Sequence, residues 1–187
     1  EVLKAMSDTQ TPQGILALAK QYHYGLKDLL SQSGAAHFIV LERLQDPGNL
    51  GTILRAGEAA GITGVIMDSQ TADIYNPKVI RSTMGAVFRV PFVYVEDLKA
   101  ALLQLKDHGV HLYAAHLKGQ NSYDQEDYTE STGFLIGNEA QGLSDEIASL
   151  ADTYVKIPMA GSVESLNAAI ASSVLMFEVA RQRRNQK

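Results

Sequence analysis

The sequence contains no cysteine, and this absence excludes several kinds of chemistry. Disulfide bonds, zinc sites built from thiolates and cysteine nucleophiles cannot form in this chain. The five histidines show no HExxH or comparable ligand spacing, so we expect no metal site. A chain without cysteine is compatible with a reducing compartment, and no signal peptide is visible, so we expect a cytoplasmic protein.

Long apolar runs and phosphate-binding loops are also missing. No apolar run approaches the roughly 20 residues that are needed to span a bilayer, so we expect no membrane partner. The phosphate-loop pattern GxxxxGK(S/T) does not occur, and no predicted strand is followed by GxGxxG. We therefore expect any ligand to be held by backbone amides, carbonyls and apolar walls rather than by its phosphates.

Positive charge is scarce, because the 187 residues carry a formal net charge of −5. That sum disfavours nucleic-acid binding, which draws most of its affinity from cations that neutralise phosphates. Cations are nevertheless concentrated locally. Lys78, Arg81 and Arg89 share one segment without an intervening acid, and the tail from Arg181 to Lys187 is basic. Basic residues also stabilise the C-terminal end of a helix, so the tail has a structural alternative.

Short apolar segments alternate with helical patterns over most of the chain, which has 45% hydrophobic and 20% charged residues. This alternation predicts an α/β domain with a mostly parallel sheet and helices on both of its faces. The predicted strands are 38–41, 64–67, 92–95, 110–115, 134–136 and 154–157. The predicted helices are 25–32, 49–60 with Asn49 as its cap, one from Pro77, 96–108 and 164–183.

Two loops are candidates for ligand binding because each follows a predicted strand and is rich in Gly, Asn, Glu and Ser. One begins after Ile136 and the other after Ile157, and the second leads into the last helix. Open α/β folds bind ligands at the carboxyl ends of parallel strands. We therefore expect the two loops to form one pocket.

The last predicted helix is apolar on two faces, so both must be covered. We expect the first stripe to pack on the sheet and the second, rich in small residues, to pack on a partner subunit; a helix of the same chain is the alternative. The first stripe is Leu166, Ile170, Ser173, Phe177 and Ala180, and the second is Ala168, Ala171, Ser172, Leu175 and Val179.

Three segments, taken together, resemble the motifs of the SpoU (TrmH) family of RNA 2′-O-ribose methyltransferases in the SPOUT superfamily. They are Asn49–Gly57 (NLGTILRAG), Ile136–Ser144 (IGNEAQGLS) and Ile157–Ala169 (IPMAGSVESLNAA). The resemblance implies a C-terminal deep trefoil knot, bound S-adenosylmethionine (AdoMet) and a homodimer formed through the knot region and the last helix. It also implies that residues 37–187 are the catalytic domain, and that residues 1–36 end a substrate-recognition region lying largely before Glu1.

The resemblance assigns cofactor contacts to the second and third motifs. Glycine lets the backbone approach a ligand, and Ile157, Met159 and Leu166 can enclose an adenine ring. Packing in the core is the alternative for these apolar side chains. The cofactor-binding residues implied by the resemblance are Leu135, Gly137, Asn138, Ile157, Met159, Leu166 and Ala168.

The catalytic residues implied by the resemblance are Arg55, Asn49, Glu139, Ser165 and Asn167. Deprotonating an arginine with a pKa of about 12.5 at pH 7 costs roughly 7 kcal/mol. We therefore favour Arg55 as an electrostatic clamp on the phosphate and the 2′-oxygen over Arg55 as a general base. The proton then leaves to water, to a phosphate or to Glu139.

The other members of this set have alternative roles. Asn49 is a helix cap, a substrate contact or both, and Glu139 accepts from the ribose or braces its loop. Ser165 and Asn167 either cap the last helix or face the methyl donor.

The resemblance implies an AdoMet-dependent RNA 2′-O-methyltransferase, and we favour 23S ribosomal RNA over transfer RNA as its substrate. A transfer-RNA 2′-O-methyltransferase and a SPOUT-fold RNA-binding protein without catalysis are the alternatives.

Overall fold

The computed structural model describes residues 17–117 and 119–186, together with Met6, Thr11, Gly14 and Ile15. Most of the predicted linker before residue 17 lies outside the described residues, as does Lys187 of the basic tail.

The centre of the fold is a sheet of seven strands, all paired in parallel, in the order β3-β2-β1-β6-β4-β7-β5. Because the strands are parallel, their carboxyl ends lie at one edge, and the loops after β1, β4, β6 and β7 are neighbours there. The strands are β1 His37–Leu41, β2 Gly64–Asp68, β3 Phe92–Val95, β4 His111–Ala115, β5 Asn121–Ser122, β6 Thr132–Ile136 and β7 Thr153–Lys156.

Helices cover both faces of the sheet. Helices α2, α3 and α6 share one apolar core with the sheet, and α1, α4 and α5 share the other. The predicted α/β class with a parallel sheet is therefore confirmed, whereas the knot stays a prediction. The helices are α1 Leu26–Leu30, α2 Pro47–Ala60, α3 Pro77–Thr83, α4 Leu98–Asp107, α5 Asp145–Ala148 and α6 Ala168–Arg184, with short 3-10 turns at Ala86–Phe88 and Tyr123–Gln125.

The alternation of side chains along β1 shows why the strands read as continuous apolar runs. Ile39 and Leu41 face the core of α2, α3 and α6, while Phe38 and Val40 face the opposite core. All four side chains are buried. A parallel sheet that is covered on both faces needs apolar residues at every position of its central strands.

Helix α2 starts earlier than predicted. Asp46 is its N-cap and accepts a hydrogen bond from the amide of Asn49 at 2.8 Å, and Pro47 occupies the first helical position. The prediction that Asn49 caps this helix is therefore wrong. Proline is preorganised for the first turn and has no N–H to leave unpaired, so the Asp-Pro pair sets the start. The predicted end at Gly61, with φ 73°, is confirmed.

Helix α6 starts later than predicted. Its N-cap is Asn167, whose side chain accepts from the amides of Ala169 and Ile170 at 2.9 and 3.3 Å. The predicted start at Glu164 is wrong, and residues 158–167 form an irregular loop. The helix can begin at Asn167 because the side-chain oxygen of an N-cap asparagine accepts from first-turn amides that have no acceptor within the helix.

The prediction of which stripe of α6 packs within the chain is wrong. Leu175 and Val179 of the second stripe are fully buried within the chain, so the alternative of coverage by the same chain is correct for them. Ile170 and Phe177 of the first stripe are 50% and 49% exposed instead of packing on the sheet. The apolar surface that remains uncovered among the described residues of α6 is therefore the first stripe.

The C-terminal end of α6 is tied to the start of the sheet by Arg183. Its guanidinium donates to the carbonyls of Ala35 and Ala36 at 2.7 and 2.9 Å. It also donates to the carbonyls of Tyr128 and Glu130 at 3.1 and 2.7 Å. Arg183 thus has a structural role in the basic tail, because it joins the last helix to the starts of β1 and β6.

His37 lies buried beside this arginine and packs its ring against Phe134. Within the described chain its Nε2 atom has no hydrogen-bond partner. Burial, followed by the nearby positive charge of Arg183, lowers the pKa of His37 to about 3. The imidazole is therefore neutral in the folded protein over the whole physiological range.

This pKa predicts a loss of stability in mild acid. The unfolded chain binds a proton at His37 below about pH 6.5 and the folded chain does not, so stability present above that pH is lost as the pH falls towards 3. Between pH 8 and pH 5 the contribution of His37 falls by about 2 kcal/mol. Urea unfolding at the two pH values should show this loss in wild type and in the exposed control His23→Gln, but not in His37→Phe. An equal loss in His37→Phe would contradict the assignment.

Candidate functional site

A cavity of about 390 Å³ opens at the carboxyl edge of the sheet, where β4, β6 and β7 end. It lies between the two loops that the sequence singled out, so these loops do meet. Cavities of about 300–1,000 Å³ are typical of small-molecule and cofactor sites. The lining residues that had been named from the sequence are Gly137, Asn138, Glu139, Ile157, Met159, Ser165, Leu166 and Ala168.

The loop after β6 is folded tightly upon itself. Asn138 and Gly142 exchange backbone hydrogen bonds of 3.1 and 2.8 Å, and Gly142 has a φ of 69°. A Cβ atom on Gly137 would collide with the backbone of Gly142 and Leu143. Glycine is therefore required at position 137 for this loop to close over the end of the strand.

The side chain of Asn138 holds the same loop in place. Its oxygen accepts from the amides of Ala140 and Gln141 at 3.0 and 3.1 Å. Its nitrogen donates to the carbonyl of Arg43 at 2.9 Å, which joins the loop to the end of β1. Both polar atoms of the Asn138 amide thus brace the cavity wall.

The loop after β7 supplies the apolar side of the cavity. Ile157, Met159 and Leu166 line it, and Ala168 lines it from the first turn of α6. Ser165 also lines the cavity, and no hydrogen bond of its hydroxyl is found to any described residue. This wall combines apolar side chains with one hydroxyl that is available to a ligand.

A hydrogen-bonded chain of three side chains joins the three motifs next to the cavity. Asn49 donates to Glu139 at 3.0 Å and accepts from Asn167 at 2.9 Å. Asn49 belongs to the first turn of α2, Glu139 to the loop after β6, and Asn167 caps α6. We call this set the Asn49 network.

Glu139 is anchored more firmly than a surface carboxylate. Its two oxygens accept from the backbone amides of Gln45 and Asp46 at 3.1 and 2.9 Å, as well as from Asn49. Burial on its own would raise the pKa of Glu139, but these hydrogen bonds outweigh it and the pKa lies below its usual value. Glu139 is therefore a brace for the loop and a weak proton acceptor.

Four residues named from the sequence do not line the cavity; two of them, Asn49 and Asn167, belong to the Asn49 network beside it, and the other two are Leu135 and Arg55. The side chain of Leu135 is fully buried in the core shared with α1, α4 and α5, and its neighbour Ile136 forms the wall instead. Arg55 is exposed on α2, and no ion pair or side-chain hydrogen bond links it to another described residue.

The sequence reasoning missed the contribution of β4. Ala115, His116 and Leu117 follow or end this strand and line the cavity. The ring of His116 packs edge-on against Tyr154 at 5.5 Å between centroids. The signal was available, since the predicted strand 110–115 is parallel to the others and its carboxyl end lies at the same edge.

No group of three or more His, Asp or Glu side chains in the described ranges is arranged to hold a metal ion. Among the helices that the structure describes, none has the length and apolar character to cross a membrane.

Known proteins share both the sequence pattern and the fold. Residues 36–177 match the model of the SpoU rRNA Methylase family. A Staphylococcus aureus protein whose name places it in the TrmH family of tRNA/rRNA methyltransferases is 35% identical over 176 residues, which cover 91% of this chain and 71% of that protein.

Two solved structures with AdoMet bound are also similar. The SpoU methyltransferase AviRb from Streptomyces viridochromogenes is 34% identical with a TM-score of 0.78, and the match covers 84% of this chain and 61% of AviRb. An rRNA methyltransferase from Sinorhizobium meliloti is 36% identical with a TM-score of 0.79, and the match covers 87% of this chain and 62% of that enzyme. The chain thus spans less than two thirds of either structure. The family match over most of its length shows that the chain belongs to the SpoU methylase family.

Proposed function

We propose that the chain is an RNA methyltransferase that binds AdoMet in the cavity between the loops after β6 and β7. The observation that carries the proposal is the position of the cavity, which is lined by the second and third family motifs. AviRb and the Sinorhizobium meliloti enzyme hold AdoMet and are 34% and 36% identical to this chain over the matched regions. The apolar wall and the available main-chain groups suit an adenosine that is held without a phosphate loop.

The proposed acceptor is a ribose 2′-hydroxyl of RNA. AdoMet supplies a methyl group on a sulfonium, which passes to the ribose oxygen as the carbon–sulfur bond breaks and the hydroxyl proton is released. The residues of the chain align the two reacting atoms and exclude water, which is where much of the rate gain of such a displacement arises. The braced loop and the Asn49 network provide that rigidity.

Arg55 acts in this proposal as a clamp that stabilises negative charge developing on the 2′-oxygen. Glu139 is a poor candidate for accepting the proton, since hydrogen bonds hold its pKa below the usual value. The proton therefore leaves to water or to a phosphate. Arg55 has the freedom that a clamp needs, because its exposed side chain is not engaged by any described residue.

We infer a homodimer that covers the exposed stripe of α6. Ile170 and Phe177 are half exposed and lie two turns apart on one helix face. The loop that leads into this helix forms part of the cavity wall. A second subunit packed on this stripe would stiffen the wall and shield it from water.

Ribosomal RNA is the substrate that we favour. The Sinorhizobium meliloti protein is named an rRNA methyltransferase. A tRNA modifying enzyme from A. aeolicus is also similar, at 28% identity with a TM-score of 0.74 over 86% of this chain and 82% of that one. Transfer RNA is therefore the alternative substrate. A non-catalytic RNA-binding role is the alternative of a different class, and a cytoplasmic location stays a prediction.

The proposed cofactor site predicts that alanine weakens AdoMet binding at Gly137 but has no effect at Gly161. Gly137→Ala forces a Cβ into the backbone of the loop after β6, whereas a Cβ on Gly161 meets nothing within 4 Å. Overpacking costs typically 1–3 kcal/mol, so Gly137→Ala should weaken AdoMet binding about fivefold or more. Gly161→Ala should bind as wild type. Isothermal titration measures both, and wild-type affinity in Gly137→Ala would contradict the assignment of the cavity. No binding by the wild-type chain would support the non-catalytic alternative.

The activity is tested with methyl-labelled AdoMet and RNA from cells that lack the gene. We expect label in ribosomal RNA rather than transfer RNA, in dinucleotides that resist alkali because the 2′-oxygen is methylated. Arg55→Ala should lower kcat by about 10²–10³, as removal of a transition-state donor does, while AdoMet affinity stays unchanged. Arg55→Lys should keep substantial activity if Arg55 is a clamp. Label on a base, or an Arg55→Lys variant as inactive as Arg55→Ala with intact RNA affinity, would overturn these roles.

A further inference from the structure

One exposed surface carries cations and apolar side chains that the cavity does not use. It is formed by α3 and the turn that follows it, and we call it the α3 surface. Met84 and Phe88 are 69% and 55% exposed. The α3 surface consists of Lys78, Ile80, Arg81, Met84 and Phe88, all of which are exposed.

The fold does not account for the charge of this surface. Lys78 lies in the first turn of α3, where a cation opposes the helix dipole, and no acidic residue in that turn offsets it. Neither the ammonium group of Lys78 nor the guanidinium group of Arg81 forms an ion pair or a hydrogen bond with any residue in the described part of the chain. Two other exposed cations are paired, Arg89 with Glu58 and Lys99 with Glu146, whereas Arg55 is unpaired like Lys78 and Arg81.

The backbone between the exposed apolar residues of this surface turns sharply at the end of α3. Met84 ends α3 in a left-handed conformation with φ 50°, and Gly85 follows with φ 89°. A non-glycine residue with positive φ is uncommon, and such conformations cluster at functional positions. Among the described aromatic residues, Phe88 contacts only Tyr22, in a T-shaped pair with 6.5 Å between ring centroids.

The α3 surface leads to Arg55. A Cβ on Gly51 would collide with the side chain of Ser82, so α2 and α3 are in direct contact there. Two turns further along α2, Glu58 pairs with Arg89, which follows the 3-10 turn, with a hydrogen bond of 2.9 Å. Arg55 is four residues after Gly51 and three before Glu58, so it lies on the same face of α2.

We propose that the α3 surface is the docking track for single-stranded RNA that carries the substrate ribose to Arg55. Lys78 and Arg81 contact successive phosphates, and Phe88 and Met84 provide apolar faces for unstacked bases. Cations interleaved with exposed aromatic and apolar side chains are the combination that single strands require. This inference rests on the proposed function, and it explains how a chain with net charge −5 offers RNA a local cationic path.

The test compares two double variants of equal charge change. Lys78→Ala/Arg81→Ala removes the two unpaired cations, and Lys27→Ala/Lys99→Ala removes two exposed cations from the helices on the opposite face of the sheet. Fluorescence anisotropy with a labelled oligouridylate of about 20 nucleotides gives the affinity over a range of potassium chloride concentrations. A single strand contributes a salt slope of about 0.7 per phosphate contact, so the first variant should lose about 1.4 from the slope and about 25-fold in affinity near 0.1 M salt.

A third variant separates stacking from charge. Phe88→Ala should weaken oligouridylate binding about fivefold or more without changing the salt slope, since a base contact releases no counterions. All three variants should bind AdoMet as wild type does, because none of the substituted residues lines the cavity.

Several results would overturn the docking track. The first is an equal loss of oligouridylate affinity in both double variants. The second is an unchanged salt slope in Lys78→Ala/Arg81→Ala, and the third is the absence of salt-dependent oligouridylate binding by the wild-type chain. A change of sedimentation in Lys78→Ala/Arg81→Ala without a change in RNA affinity would assign the surface to a protein contact and would also overturn it. Failure of the proposed function looks different, because wild type would then bind the oligouridylate normally but neither bind AdoMet nor transfer its methyl group.

Discussion

The hydrogen bonds that Asn49 makes with Glu139 and Asn167 join three parts of the chain that are distant in sequence. Each partner is itself anchored, since Glu139 holds two amides at the start of α2 and Asn167 caps α6. The loops after β6 and β7 therefore keep a fixed distance from each other and from α2. A preorganised cavity needs this, because loops that must order on binding reduce affinity and catalytic alignment.

The sequence allowed the strands to be predicted within about two residues, apart from the two-residue β5. Strands buried on both faces are continuous apolar runs, and their identity depends on little else. Helix starts were predicted less well. Asp46 and Asn49 are both suitable caps for α2, and Pro47 decides between them. For α6 the apolar pattern begins before the cap, and the helix itself starts only after Asn167.

Part of the site was also visible in the sequence, because glycine at 137 and the apolar residues of the loop after β7 follow strands that end at one edge. The faces of α6 and the position of Leu135 were not. Two apolar stripes on one helix are equivalent until its neighbours are known, and α2 covers the one that contains Leu175. The Asn49 network was equally hidden, since its members lie 90 and 118 residues apart.

The most direct test of the central claim is a double-mutant cycle on the Asn49 network, with AdoMet affinity measured by calorimetry for Asn49→Ala, Glu139→Gln and the double variant. If the network shapes the cavity, each single change weakens binding, and the double change costs less than the sum by about 0.5 kcal/mol or more. Wild-type affinity in both single variants, or strict additivity, would contradict the account.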